Sequence, residues 1–200
     1  FAFLFNSSIL KSNIENKATA LGWQAMMMGE KQLVSTREIT SNVADQILYF
    51  AQHDDVELFI SKLMSKYHFL NAIHISIDSV VPDISIHNYY FFKEPDNISV
   101  VKKNQKIYPC VVEKNIFENI EKKGVSGWTE VFKCHRNNKQ VVSYYTPIRI
   151  RNEKNEMVTV GSVITELSLR ELNDSINSLK LGINDYAFLI TQLSFSYFIS

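Results

Sequence analysis

The chain is poor both in residues that interrupt structure and in residues that tie it together. Its 200 residues include 4 prolines, 6 glycines and 2 cysteines. The first proline is Pro82 and only Gly22 and Gly29 precede it, so loop signals are nearly absent from the first third. Cys110 and Cys134 stand too far apart for a CxxC metal or redox motif. They either pair, if the chain is exported, or remain two separately buried thiols. Charge of one sign is not in excess: basic and acidic residues number 21 each, which removes the electrostatic case for a nucleic-acid partner. No run of about 20 apolar residues occurs, so any membrane attachment is expected only through segments outside this sequence. Phe1-Ala2-Phe3-Leu4-Phe5 reads either as the trailing end of such a segment or as a hydrophobic terminus buried in the fold. Nucleophile elbows, phosphate loops, HExxH and kinase motifs are missing too, and Glu153, Glu156 and Glu166 have no spacing that fixes a shared carboxylate site. No enzymatic activity, metal or cofactor is expected.

What the chain does have is pattern. With 46% hydrophobic and 21% charged residues it is a folded globular chain, long enough for one domain or for one domain and part of another. Ile14, Ala18, Leu21, Ala25, Met28, Ile39, Val43, Ile47 and Phe50 recur at helical steps, which predicts a long amphipathic helix over 1–52. Its stripe must lie on the sheet that follows or on the same helix of a second copy, which makes a homodimer through this helix a candidate assembly. Met26-Met27-Met28 suits an adaptable packing surface. Asp54 or Asp55 can cap a second helix running to about His68.

From Ala72 the apolar period becomes two. Ile73, Ile75 and Ile77 predict a half-buried strand, and Ile84 to Phe92 a second one rich in aromatics. Residues 111–123 read as a short helix ended by Gly124. Three strands follow, over 128–134, 141–150 and 157–168, joined by Asn-rich loops of hairpin length. Arg170 to Leu181 has helical spacing, and Tyr186 to Ile190 reads as a further strand. The fold class is therefore α+β, a mainly antiparallel sheet with helices on one face.

The order of long helix, short helix, strand pair, helix, GWTEVF, VSYYTPI, VGSVITELSL, helix and YAFLI resembles the double Cache, or PDC-like, extracytoplasmic sensor domains of bacterial transmembrane receptors. The resemblance implies a PAS-like (PDC) sheet behind the long N-terminal helix, a membrane-distal module over 53–182, and the start of a smaller membrane-proximal module over 183–200. It also implies an extracytoplasmic, periplasmic location and a small-molecule ligand bound in the distal module, with a conformational change relayed to a cytoplasmic output domain. A dimerisation or spacer module with a vestigial pocket, and a cytoplasmic PAS-like sensor, are the competing readings.

Amino-acid binders of that family resemble one another in an Arg-x-Trp-Tyr motif, a strand Tyr and an Asp before the last helix. Here the strand Tyr falls near Phe132 and the Asp on Glu166, and no Arg-x-Trp-Tyr occurs. A ligand carboxylate then lacks its fork of donors, so a cationic or neutral ligand, or none, fits better. Beside these two residues, Tyr89, Tyr90, Trp128, Tyr144 and Tyr145 offer flat walls with polar handles suited to a small molecule or a cation, or else to core packing. Only one ring of each Tyr-Tyr pair can face a pocket. The alternation puts Glu166 on one face with Ile164 and Ser168, and Val163, Thr165 and Leu167 on the other. His74 and His87 could meet across neighbouring strands, a weak metal signal.

Overall fold

The computed structural model describes residues 2–95, 97–103, 124–134 and 137–177. The helix foreseen over 111–123, the strand at Tyr186 to Ile190, the segment 183–200 and Cys110 lie outside these residues. The chain divides into two compact units. One is Glu30–Leu172; of the other, residues 2–29 and 173–177 are described.

Helix α1 spans Ala2–Gln52, as the scarcity of breakers requires. Within the larger unit its stripe is Ile39, Val43, Ala44, Ile47 and Ala51, all buried. Thr36 and Thr40 lie buried in the same stripe, and each hydroxyl donates back one turn, to the carbonyls of Gln32 and Thr36, so neither goes unsatisfied. Helix α2, Val56–Lys66, turns Val56, Ile60 and Met64 inward. Its C-terminal end is closed by Lys93, whose Nζ donates to the carbonyls of Tyr67 at 3.0 Å and His68 at 2.9 Å. Burial pushes the Lys93 ammonium below its usual pKa, against the attraction of Glu171.

The strands are β1 (Leu70–Ile77), β2 (Asn88–Lys93), β3 (Ile98–Lys103), β4 (Gly127–Trp128), β5 (Phe132–Lys133), β6 (Gln140–Arg151) and β7 (Met157–Ser168). A third helix, α3, begins at Leu169 and is described to Asn177. The sheet is antiparallel throughout, in the order β3-β2-β1-β7-β6-β4, with β5 also on β6. Asn-rich turns link β5 to β6 and β6 to β7, where Asn138 and Asn155 take left-handed φ values of 60° and 64°. In the second turn Asn152 Oδ1 accepts from the backbone of Lys154 and Glu156, closing the loop with its own side chain.

One face of the sheet packs on α1 and α2 through Ile73, Ile75, Ile77, Phe91, Ile148 and Val163, forming the main apolar core. The half-buried strand expected at Ile73 to Ile77 is instead buried on both faces over all eight residues. Period-two alternation reports polarity rather than exposure, and β1 alternates between an apolar layer and a polar layer that is also covered. The second aromatic strand begins at Asn88 rather than Ile84, β3 was not foreseen, and the run 128–134 is two short segments, β4 and β5. Between them Thr129 bonds to Ser143 twice, its N–H donating to the Ser143 carbonyl and its Oγ1 accepting from the Ser143 N–H. Pro147 lies just beyond the rungs that β4 pairs, where a strand tolerates a residue without an N–H.

Register along β7 is set by an irregularity at Val160 and Gly161, where Ile148 faces Gly161 and Arg149 already faces Thr159. A Cβ at Gly161 would run into the backbone carbonyl of Ser76 on β1, so only glycine lets these strands close. Gly22, in α1, has open space around it. In urea denaturation, Gly161→Ala is expected to cost about 1–3 kcal/mol and Gly22→Ala to gain up to about 1 kcal/mol. Equal effects at the two positions would contradict this account of the β1/β7 approach.

Candidate functional site

Directly opposed residues of an antiparallel pair share a face, so the register assigns every strand side chain. On the face away from α1 and α2, three rungs cross the centre of the sheet. The first holds Phe92, Ala72, Glu166 and Ser143; the second Tyr90, His74, Ile164 and Tyr145; the third Asn88, Ser76, Ser162 and Pro147. Glu166 shares its face with Ile164 and Ser168, as the alternation of β7 requires.

Glu166 is 1% exposed, and its carboxylate is held by neutral donors from two other strands. Asn71 Nδ2 donates to Oε2 at 2.9 Å, and the Tyr90 hydroxyl donates to Oε1 at 3.5 Å. Asn71 occupies an irregularity in β1 between Leu70 and Ala72, and this extra residue is what brings a carboxamide against a strand that otherwise presents Ala72 there. Its own Oδ1 accepts from Asn137 Nδ2 at 3.1 Å, which fixes the amide so that its N–H side points at Glu166. A buried carboxylate needs such donors, because an unsatisfied polar group in this setting costs about 1–3 kcal/mol or more.

Further polar atoms on the same face are buried without a hydrogen-bond partner among the described residues: Ser143 Oγ, opposite Glu166, and Asn88 Oδ1 and Ser162 Oγ on the third rung. The His74 ring, 2% exposed, lies 6.3 Å from that of Tyr90. Just past the first rung, Lys139 and Glu171 form an ion pair of 2.7 Å, and Ser168 Oγ accepts from the Glu171 N–H at the start of α3.

Of the seven residues singled out from sequence, Glu166, Tyr90 and Tyr145 fall on these rungs. Phe132 stands on the same side opposite Val141, at the strand end, where it packs beside Cys134. Tyr89, Trp128 and Tyr144 face the other way. Tyr89 stands opposite Ile75 in the helix-facing core, and Trp128 opposite Tyr144, their rings 5.0 Å apart. One ring of each Tyr-Tyr pair is thus on each face. His74 and His87 do not meet: Ser76 faces Asn88, so His87 comes opposite Ile77 and belongs to the opposite face. No group of three or more metal-ligating side chains occurs among the described residues. Asn71, Ser143, Ser162 and Asn88 were not singled out. Ser162 was reachable, since it is a polar residue in phase with Glu166 on one strand, whereas Ser143 depends on the pairing of β6 with β7 and Asn71 on a bulge that leaves no local signature.

No family model matches the chain, and no curated protein does. Solved structures do. The extracellular domain of the histidine kinase soHK1S-Z6 superposes with a TM-score of 0.58 at 12% identity, over 88% of this chain and 66% of that one. Methyl-accepting chemotaxis protein X gives 0.54 at 11%, over 87% and 68%. The ligand-binding domain of Campylobacter jejuni chemoreceptor Tlp3, in complex with L-norvaline, gives 0.54 at 9%, over 84% and 63%. The chain therefore spans about two thirds of the length of these structures. The fold is that of the Cache, PDC-like sensor domains of histidine kinases and chemoreceptors.

Tyr89, on the helix side, supplies a control for the two-face assignment. Burial, and then the charges of Asp54 and Glu57, raise its hydroxyl above the usual 10.0. The folded state thus holds the proton more tightly than the unfolded chain. The associated stability is complete below pH 10.0 and is lost as pH rises through the raised value, by at most about 1.4 kcal/mol per pH unit. Tyr89→Phe is expected to flatten that alkaline arm in pH-dependent denaturation. Superimposable arms for wild type and variant would contradict the placement.

Proposed function

We propose that the chain is the extracytoplasmic ligand-sensing region of a membrane-anchored signalling protein, and that the face carrying Glu166 receives a small molecule. The observation that carries this reading is a carboxylate buried at the centre of a sheet, oriented by Asn71 and Tyr90, beside buried hydroxyls that have no hydrogen-bond partner among the described residues. A fold uses apolar side chains where it needs only packing; polar atoms left open on a covered face suit a ligand. The sensor fold supports the reading, and so does Cys134, which is buried and disulfide-bonded, a state that belongs to oxidising compartments.

The same strand supplies a route for the signal. On β7, Glu166 and Ile164 face the proposed ligand, while Val163, next to Ile164 on the other face, packs in the core with Ile39, Val43 and Ile47 of α1. A ligand that draws β7 toward itself would change the seating of that helix, provided it binds the two arrangements with different affinity. In a thermal-shift panel of amino acids, amines, purines and carboxylates, a binder at 100-fold its dissociation constant adds about 2.7 kcal/mol. Glu166→Gln is expected to abolish that gain, and Tyr144→Phe, on the opposite face, to leave it intact. A panel without binders, or a binder indifferent to Glu166→Gln, would defeat the reading.

A homodimer through α1 is a second property we propose, because Trp23 is 61% and Met27 60% exposed one helical turn apart, with Met26 beside them. Sedimentation equilibrium should show self-association that Trp23→Ser weakens at least several-fold. A monomer at every concentration would remove this assembly.

A further inference from the structure

The turn between β5 and β6 belongs to two bonding systems at once. Asn137 Oδ1 accepts from the Lys139 N–H at 3.1 Å, Asn137 Nδ2 donates to Asn71 Oδ1 at 3.1 Å, and Asn71 Nδ2 donates to Glu166 Oε2 at 2.9 Å. A backbone N–H can only donate and a carboxylate can only accept, so the two ends fix which way both carboxamides point. All three bonds therefore run in one direction, from the turn to the centre of the sheet, and bonds aligned in this way polarise one another. Lys139 also reaches the other way: its Nζ donates to Glu171 Oε1 at 2.7 Å. Glu171 lies in the first turn of α3, where its own N–H donates to Ser168 Oγ at the end of β7.

Backbone bonds close this turn. The Cys134 N–H donates to the Lys139 carbonyl and the Asn138 N–H to the Cys134 carbonyl, both at 2.8 Å, and Cys134 is buried and disulfide-bonded. The ion pair at its end is only partly solvated, with side chains 28% and 34% exposed, so water and salt screen it less than a pair on the open surface. Glu171 attracts and Lys139 repels the Lys93 ammonium, which closes the end of α2. The larger unit ends at Leu172, one residue after Glu171.

We infer that this turn is a coupling element, in which Asn137 and Lys139 pass the state of the Glu166 carboxylate to the first turn of α3. Asn137 is the positioning residue, because its carboxamide serves both the turn and Asn71. A change of charge or position at Glu166 alters its bond from Asn71, Asn71 alters its hold on Asn137, and the turn carries Lys139 and Glu171 with it. The use of this coupling for signalling rests on the sensing role proposed above. It is a second route, distinct from the one through Val163 and α1, and it ends on the helix by which the chain leaves the larger unit. Coupling between sites is reciprocal, so loss of the Glu171 charge must also be felt at Asn71.

The test needs no ligand. In the isotope-labelled full chain, NMR follows the side-chain amide signals of Asn71 when Glu171→Gln removes the charge that holds Lys139, with and without Asn137→Ser. Serine keeps an acceptor for the turn and is too short to reach Asn71, and since Asn137 is exposed and Glu171 partly so, neither change threatens the fold. Glu171→Gln is expected to shift the Asn71 signals in the parent chain and to leave them in place in the Asn137→Ser chain. In urea denaturation, the effects of Glu171→Gln and Glu166→Gln on the unfolding constant are expected to miss simple multiplication by at least about twofold, and to multiply once Asn137→Ser is present. Asn71 signals that ignore Glu171→Gln would overturn the inference, and so would a shift that survives Asn137→Ser, since it is then carried through space. A binder that depends on Glu166, found together with unresponsive Asn71 signals, would overturn it and leave the sensing role intact. Coupling through Asn137 in a chain that binds no compound would uphold it and remove the sensing role.

Discussion

The register of β7 between β1 and β6 governs the rest of this sheet. Side chains alternate with a period of two, so a slip of one residue would turn Glu166 into the layer of Ile73 and Ile75 and drive Val163 and Leu167 out of it. Two local devices hold the register. Gly161 admits the Ser76 carbonyl where any side chain would collide with it, and the irregularity at Asn71 absorbs one residue just before the first rung. The second device is also chemical, because the residue it absorbs is the one that donates to the buried carboxylate.

The two faces of the sheet play different energetic parts. The layer of Ile73, Ile75, Phe91, Ile148 and Val163 against α1 and α2 removes apolar surface from water and supplies most of the favourable free energy of folding. The opposite face is equally covered at β1 and β7 and contributes far less of this, since Glu166, Asn71, His74, Ser143 and Ser162 occupy positions where aliphatic side chains would stabilise more. Natural sequences depart from local optimum at sites of function, and this departure is concentrated on one face. The Asn137–Asn71–Glu166 chain of hydrogen bonds holds the carboxylate in one orientation, which is what preorganisation for a ligand requires.

Much of this arrangement was legible in the chain itself, and the reasons for the exceptions are physical. The long helix follows from missing breakers and a 3.6-residue stripe; the last two strands and their turns follow from alternation bounded by Asn-rich loops. The face of Glu166 was also readable, because alternation over twelve residues leaves little freedom. Which tyrosine of each pair joins Glu166 was not, since that depends on pairing with other strands: Tyr90 through His74, Tyr145 through Ile164. The division of 128–134 into two segments depends on Thr129 bonding to Ser143 fourteen residues away, and β3 on its pairing with β2. Tertiary pairing decides such matters, and local propensity does not record it.

The central claim is that one face of the sheet meets a small molecule and the other meets helices. Methyl-labelled NMR of the isoleucines during titration with a binding compound tests it most directly, because Ile164 and the pair Ile73 and Ile75 lie on opposite faces of adjacent strands. The account predicts a large early shift of the Ile164 methyl, with Ile73 and Ile75 moving little. Shifts led by Ile73 and Ile75, with Ile164 unmoved, would contradict it.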